Sequence, residues 1–147
     1  MKVEQPMPQP SIPDRARPWL RGVAAELGLS EPDQQRCVDQ GGLLLGDVPV
    51  TWMPTLTGGD TQLAALAIVG PVGAPGEAAP TLEAVLQTQL LLCGPAMPVF
   101  GLDVDSRSLV LQHVFEIERD SAGDAVTMLR AMQRIATESR AMLPAAP

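Results

Sequence analysis

Residues 80–143 read PTLEAVLQTQLLLCGPAMPVFGLDVDSRSLVLQHVFEIERDSAGDAVTMLRAMQRIATESRAML, and this stretch decides the fold class. Pro80–Cys93 has apolar residues at helical spacing: Leu82, Val85, Leu86, Leu90 and Cys93 line one face. Leu91 and Leu92 widen that stripe beyond what one contact needs. Gly94 and Pro95 stop the helix. Val99–Leu102 predicts a short strand and Asp103–Arg107 a hairpin turn. Ser108–Ile117 then alternates with period two, which puts Leu109, Leu111, His113, Phe115 and Ile117 on one face and Val110 and Val114 on the other. Ser121 with Asp124 makes a capping-box-like start to a last helix. Its stripe is Ala125, Met128, Leu129, Met132, Ile135, Ala136, Met142 and Leu143, and Pro144 ends it. Every element has an apolar face, and none carries His, Cys, Asp or Glu clustered at catalytic or ligand spacing.

Upstream the pattern is less regular. Pro6, Pro8, Pro10 and Pro13 make Met1–Pro13 an expected extended, disordered arm. Asp14–Leu29 predicts a helix with Ala16, Leu20, Ala24 and Leu27 on one face, flanked by Trp19 and Val23. Pro18 suits its first turn and Gly28 its C-terminal cap. Glu31–Gly42 is polar and reads as turn-rich. Leu43–Leu45 predicts a short strand. Val48–Leu56 alternates, with Val48, Val50, Trp52 and Leu56 on one face and Pro49, Thr51, Met53 and Thr55 on the other. Its prolines remove ladder donors, which places it at a sheet edge or makes it an interrupted strand. Thr57–Asp60 is a turn, Gln62–Val69 a strand apolar on both faces, and Gly70–Ala79 a loop. The resulting order is α-β-β-β-α-β-β-α. It predicts an α+β domain over residues 14–143, a twisted antiparallel sheet packed with three helices, followed by a tail at 144–147.

Composition narrows the function. Aromatic residues are 3% of the chain and Tyr is absent, so the core must be built from aliphatic residues, Met and Ala. The formal net charge of −7 repels phosphate backbones and anionic lipid, which excludes nucleic acid and a charged membrane surface as natural partners. No apolar run approaches the roughly 20 residues of a membrane span, and Met1–Pro13 lacks the apolar core of a secretory signal. The expectation is a soluble cytoplasmic protein that is not inserted in a membrane.

The residues that could carry chemistry have simpler structural readings. Cys37 and Cys93 match no metal spacing, and Cys93 ends an apolar run. His113, the only histidine, lies on an apolar strand face. Asp103 and Asp105 lack the other ligands of a calcium loop, and Arg107 stands where one would be needed. Gly41-Gly42 and Gly58-Gly59 open no helix and fit no phosphate-loop spacing. No catalytic residue, cofactor or metal is expected. Met128, Met132 and Met142 serve as core or as an adaptable binding surface. Trp52 and Met53 point to opposite faces of one strand, which makes an exposed apolar contact there a candidate.

The order of elements, with Leu82-Glu83-Ala84-Val85-Leu86, Gln89-Leu90-Leu91-Leu92, Phe100-Gly101-Leu102-Asp103 and Ser108-Leu109-Val110-Leu111, resembles the class I chaperones of bacterial type III secretion systems, of the Tir-chaperone type. The terminal helix Ala125–Leu143 agrees. Those chaperones often have Asn where Gln89 stands. The resemblance implies a homodimer in the cytoplasm of a Gram-negative bacterium. It implies binding of an effector's N-terminal segment, held extended by apolar patches and strand addition, and no use of ATP. The excess apolar width of Pro80–Cys93 independently favours a dimer, with Leu86, Leu90, Leu91, Val110 and Val114 as its interface. Trp19, Val23, Val50, Trp52 and Met53 are the expected effector-binding residues. A structural adaptor or regulator of the secretion apparatus with the same fold is the alternative.

Overall fold

The computed structural model describes residues 11–145, so most of the expected arm, Met1–Pro10, lies outside the described residues. Ile12 lies inside them and is buried beside Gly41, which brings the packed chain into the segment assigned to the arm. A 3-10 turn at Asp14–Ala16 leads into α1 (Arg17–Glu26), with Pro18 in its first turn as expected. Leu20, Val23 and Ala24 turn inward from it.

The next segment departs from the sequence reading: Glu31–Gln40 is a helix, α2. The Ser30 side chain accepts the Asp33 amide, Pro32 sits in the first turn, and Gly41 caps the end at φ +73. A side chain at Gly41 would meet the Trp52 carbonyl at 2.9 Å. Only Cys37 and Val38 are buried along α2, too few to write a helical period into the sequence.

Five strands follow in one antiparallel sheet: β1 (Gly42–Leu45), β2 (Val48–Pro54), β3 (Gln62–Pro71), β4 (Val99–Asp103) and β5 (Ser108–Glu116). Their spatial order is β1-β2-β3-β5-β4. Between β3 and β4 stands α3 (Ala79–Leu91), and α4 (Ala122–Ser139) ends in a 3-10 turn, Arg140–Met142. The antiparallel α+β architecture is therefore as read, with four α-helices among the described residues where three were expected.

The edge position expected of β2 is not found, since β2 pairs with β1 on one side and β3 on the other. The Trp52 amide bonds to Gly41, so even-numbered residues of β2 turn their amides toward β1 and odd-numbered ones toward β3. Pro49 would donate toward β3, but that ladder begins one residue later, at Val50. Pro54 would donate toward β1, whose ladder has already ended at Thr51. Both prolines fall where no partner strand needs their missing N–H. Leu56, assigned to the same apolar face, lies beyond the strand and is exposed.

One sheet face carries the core. Val48, Val50 and Trp52 of β2, Leu63, Ala65 and Ala67 of β3, and Leu109, Leu111 and Phe115 of β5 meet Leu129, Met132 and Ala136 of α4 and the inner side of α1. The methionine in the middle of α4 is thus core. Three of the four aromatic residues gather: Trp52 lies 5.8 Å from Trp19 and 5.4 Å from Phe115, ring to ring. The opposite sheet face holds Met53, Ala64, Leu66, Ile68, Val110, Gln112, Val114 and Val99, and is the face turned away from this core.

Candidate functional site

The residues expected to hold an effector are placed first by burial. Val23, Val50 and Trp52 belong to the core, and Trp52 is only 2% exposed. Val23 and Trp52 offer no surface to a partner in this conformation, and Val50, though buried, lies along the groove beside β1. The physical reason is the shape of the α1–sheet interface, a gap that indole and phenyl rings fill. Trp19 is half-buried and spends its indole N–H on the Asp120 carbonyl at 2.7 Å. Among the described residues the Trp52 Nε1 has no acceptor. Met53 alone of the five lies on the outer sheet face, in one row with Ala64 and Val114.

The expected interface residues are placed differently. Leu86, Leu90 and Leu91 are 71%, 77% and 86% exposed, a concentration of large apolar side chains on one helix. Apart from Val85, α3 buries little apolar side chain. Leu82 also packs against the core, and polar contacts add to this: the Thr81 hydroxyl donates to the Met142 carbonyl at 3.0 Å, and the Phe100 amide donates to Gln89 Oε1 at 2.8 Å. Between α3 and the sheet runs an apolar groove of ≈ 280 Å³ lined by Leu82, Val85, Leu86, Gln89, Phe100, Leu102 and Leu109. Exposed Met97 and Val99 lead from the end of α3 to the outer sheet face. There Val99 pairs with Gln112, one step from half-exposed Val114. Val110 lies on that face but is largely buried by its neighbours.

A second surface lies outside the sequence expectation. The edge strand β1 borders a groove of ≈ 390 Å³ lined by Leu29, Asp33, Arg36, Gly42, Leu43, Leu44, Pro49, Val50 and Thr51. The pairing phase set by Gly41 turns Leu43 and Leu45 toward β2, so Gly42 and Leu44 direct their amides and carbonyls outward into this groove. Leu44 is also 62% exposed. The wall opposite β1 is α2, and Arg36 pairs with Asp33 at 3.0 Å on the rim. The signal that could have found this wall was present: Ser30, Pro32, Asp33 and Gly41 bracket a helix.

Groups with chemical potential are housed quietly. Burial pushes the Cys37 thiol up to about 12, which keeps it protonated and unreactive. Burial also holds His113 below its ordinary 6.5, against a smaller opposing pull from the Asp120 carboxylate. Its ring sits edge-on to Phe115 at 4.7 Å, in a polar cleft with Arg119, Asp120 and Asp124. Asp103 accepts the Asp105 amide at 3.2 Å and the Ser106 hydroxyl at 2.8 Å, a turn built by its own side chains. Among the described residues no group of three His, Cys, Asp or Glu is placed to hold a metal ion, and no helix is long and apolar enough to cross a membrane.

No protein-family model and no curated protein sequence matches the chain. Solved structures do. A chain of the HopA1–SchA chaperone–effector complex superposes with TM-score 0.62 at 13% identity, covering 86% of this chain and 94% of that one. The Yersinia pestis structure of the type III secretion chaperone SycH with a fragment of YscM2 gives TM-score 0.59 at 21% identity, over 83% and 97%. The ExoT–SpcS complex of Pseudomonas aeruginosa gives 0.58 at 15% identity, over 85% and 97%. The match spans 94–97% of each of these neighbours, and at this level of identity it shows that the chain has the fold of the type III secretion chaperones.

Proposed function

We propose that the protein is a homodimeric type III secretion chaperone that binds the N-terminal region of an effector, without ATP, in the cytoplasm of a Gram-negative bacterium. It works by binding, not by catalysis. One observation carries the reading beyond the shared fold: β1 is an open strand edge set in an apolar groove. Among the described residues Gly42 and Leu44 offer unpaired backbone groups, while Leu29, Leu43 and Leu44 offer apolar contact. An extended segment would add to that edge through main-chain bonds and seat alternate side chains in the groove. The effector segment is the occupant proposed for this groove, and Met53 remains available as a further contact on the outer face. The dimer would form through Leu86, Leu90 and Leu91, with Val114 and Val99 at its margin and Val110 behind them. The net charge of −7 keeps such apolar surface in solution.

The test is co-expression with proteins encoded beside its gene. A soluble stoichiometric complex that needs the partner's N-terminal region, forms without nucleotide and contains two copies of this chain is the expected result. A chain that binds only components of the secretion machinery would refute the effector assignment.

A further inference from the structure

The sheet has two edges, and they are not equivalent. Among the described residues both β1 and β4 pair on one side only. At β1 the outward backbone groups of Gly42 and Leu44 face an open groove. At β4 the phase is set by α3: the Phe100 amide donates to Gln89 Oε1, away from β5. Phe100 and Leu102 therefore carry the outward-facing backbone groups of β4, while Val99, Gly101 and Asp103 bond to β5. An edge with free N–H groups invites another strand, and natural sheets obstruct such edges.

We propose that Gln89 is a lock on the β4 edge: its side chain takes the place an incoming strand's carbonyl would occupy. The lock has two consequences. Two copies of the chain meet through the side chains of α3 and not by running their sheets together at β4. Strand addition is then directed to β1, the edge left open. The first consequence rests on the proposed dimer and the second on the effector-binding reading; the lock itself rests on neither. A mere tie between helix and strand would also use this hydrogen bond. The lock makes a further claim, that removing the side chain exposes a strand edge able to pair.

Gln89→Leu and Gln89→Glu separate these. Leucine matches the apolar groove beside it but accepts no hydrogen bond; glutamate keeps an acceptor at the same reach. Backbone amide exchange read by NMR should show Phe100 protected in the wild type and in Q89E. In Q89L, read at a concentration too low for association, it should exchange about tenfold faster, the scale of one lost hydrogen bond. Light scattering over rising concentration should show wild type and Q89E levelling at one limiting mass, whether monomer or dimer. Q89L should climb past that limit. Q89S, which is too short to reach the amide, should behave like Q89L and covers the case in which leucine misfolds. Unchanged Phe100 exchange in a folded Q89L or Q89S overturns the proposal, as does fast exchange without any gain in mass. If the lock holds but no effector is ever captured, the chaperone reading fails alone.

Discussion

Replacing Leu90 tests the dimer most directly, because α3 presents it to solvent and not to the core. Leu90 is 77% exposed in the protomer. Full burial of a leucine side chain is worth ~1.5–3 kcal/mol, so burying the exposed part would contribute about 1–2 kcal/mol. A two-fold interface uses each residue twice. Leu90→Ala should therefore weaken the dimer by about 2–4 kcal/mol, or roughly 30- to 1,000-fold in Kd. Leu90→Asp should do more, since it would also bury an unpaired carboxylate. Sedimentation equilibrium from nanomolar to high micromolar concentration reads this, against a protomer of 15.5 kDa. The protomer itself should be spared, so circular dichroism of a monomeric variant should show native secondary structure. A wild type that stays at the protomer mass at micromolar concentration would refute the reasoning, and so would an L90A dimer of unchanged affinity.

Other expectations follow from individual side chains. Leu44→Pro removes an outward amide from an edge strand, where proline is tolerated; it should weaken effector capture about tenfold or more in calorimetry, with the melting temperature nearly kept. Deleting Met1–Pro10 should leave thermal stability nearly unchanged, whereas Ile12→Ala should cost about 2–4 kcal/mol, because Ile12 is buried; equal melting curves for the two would show that Ile12 contributes nothing. Ellman's reagent should titrate exposed Cys93 in the native protein and reach buried Cys37 only on unfolding; two fast native thiols would contradict the packing of α2. His113 has a folded pKa below 6.5, so the folded state prefers the neutral ring. Its contribution is fully present above 6.5 and is lost as pH falls through the depressed value. His113→Phe should flatten that part of the urea stability profile, and an unchanged slope there would remove His113 as its source.

Much of the fold could be read locally. The eighteen residues of α4 write one continuous stripe, and β5 keeps Leu109, Leu111 and Phe115 on its core face, with Val110 buried on the other. Gly94 and Pro95 marked the end of α3 through backbone geometry alone. The same local rules put Trp52 on the face of Val48 and Val50. They could not say whether that face was covered. Sequence suggested Trp52 as a contact, but packing against α1 and Phe115 made it core.

What the sequence by itself determined is element type and face, since period and capping depend on neighbours a few residues away. Tertiary structure alone decided which faces meet. It set β2 inside the sheet, because its two prolines happen to fall beyond the ends of the ladders they would have broken. It stood α2 beside β1, where a polar helix with two buried residues becomes the wall of a groove. It left Leu86, Leu90 and Leu91 outside and brought Gln89 to the amide of Phe100, eleven residues on. Burial and edge closure arise from pairings between distant segments, and no local period encodes them.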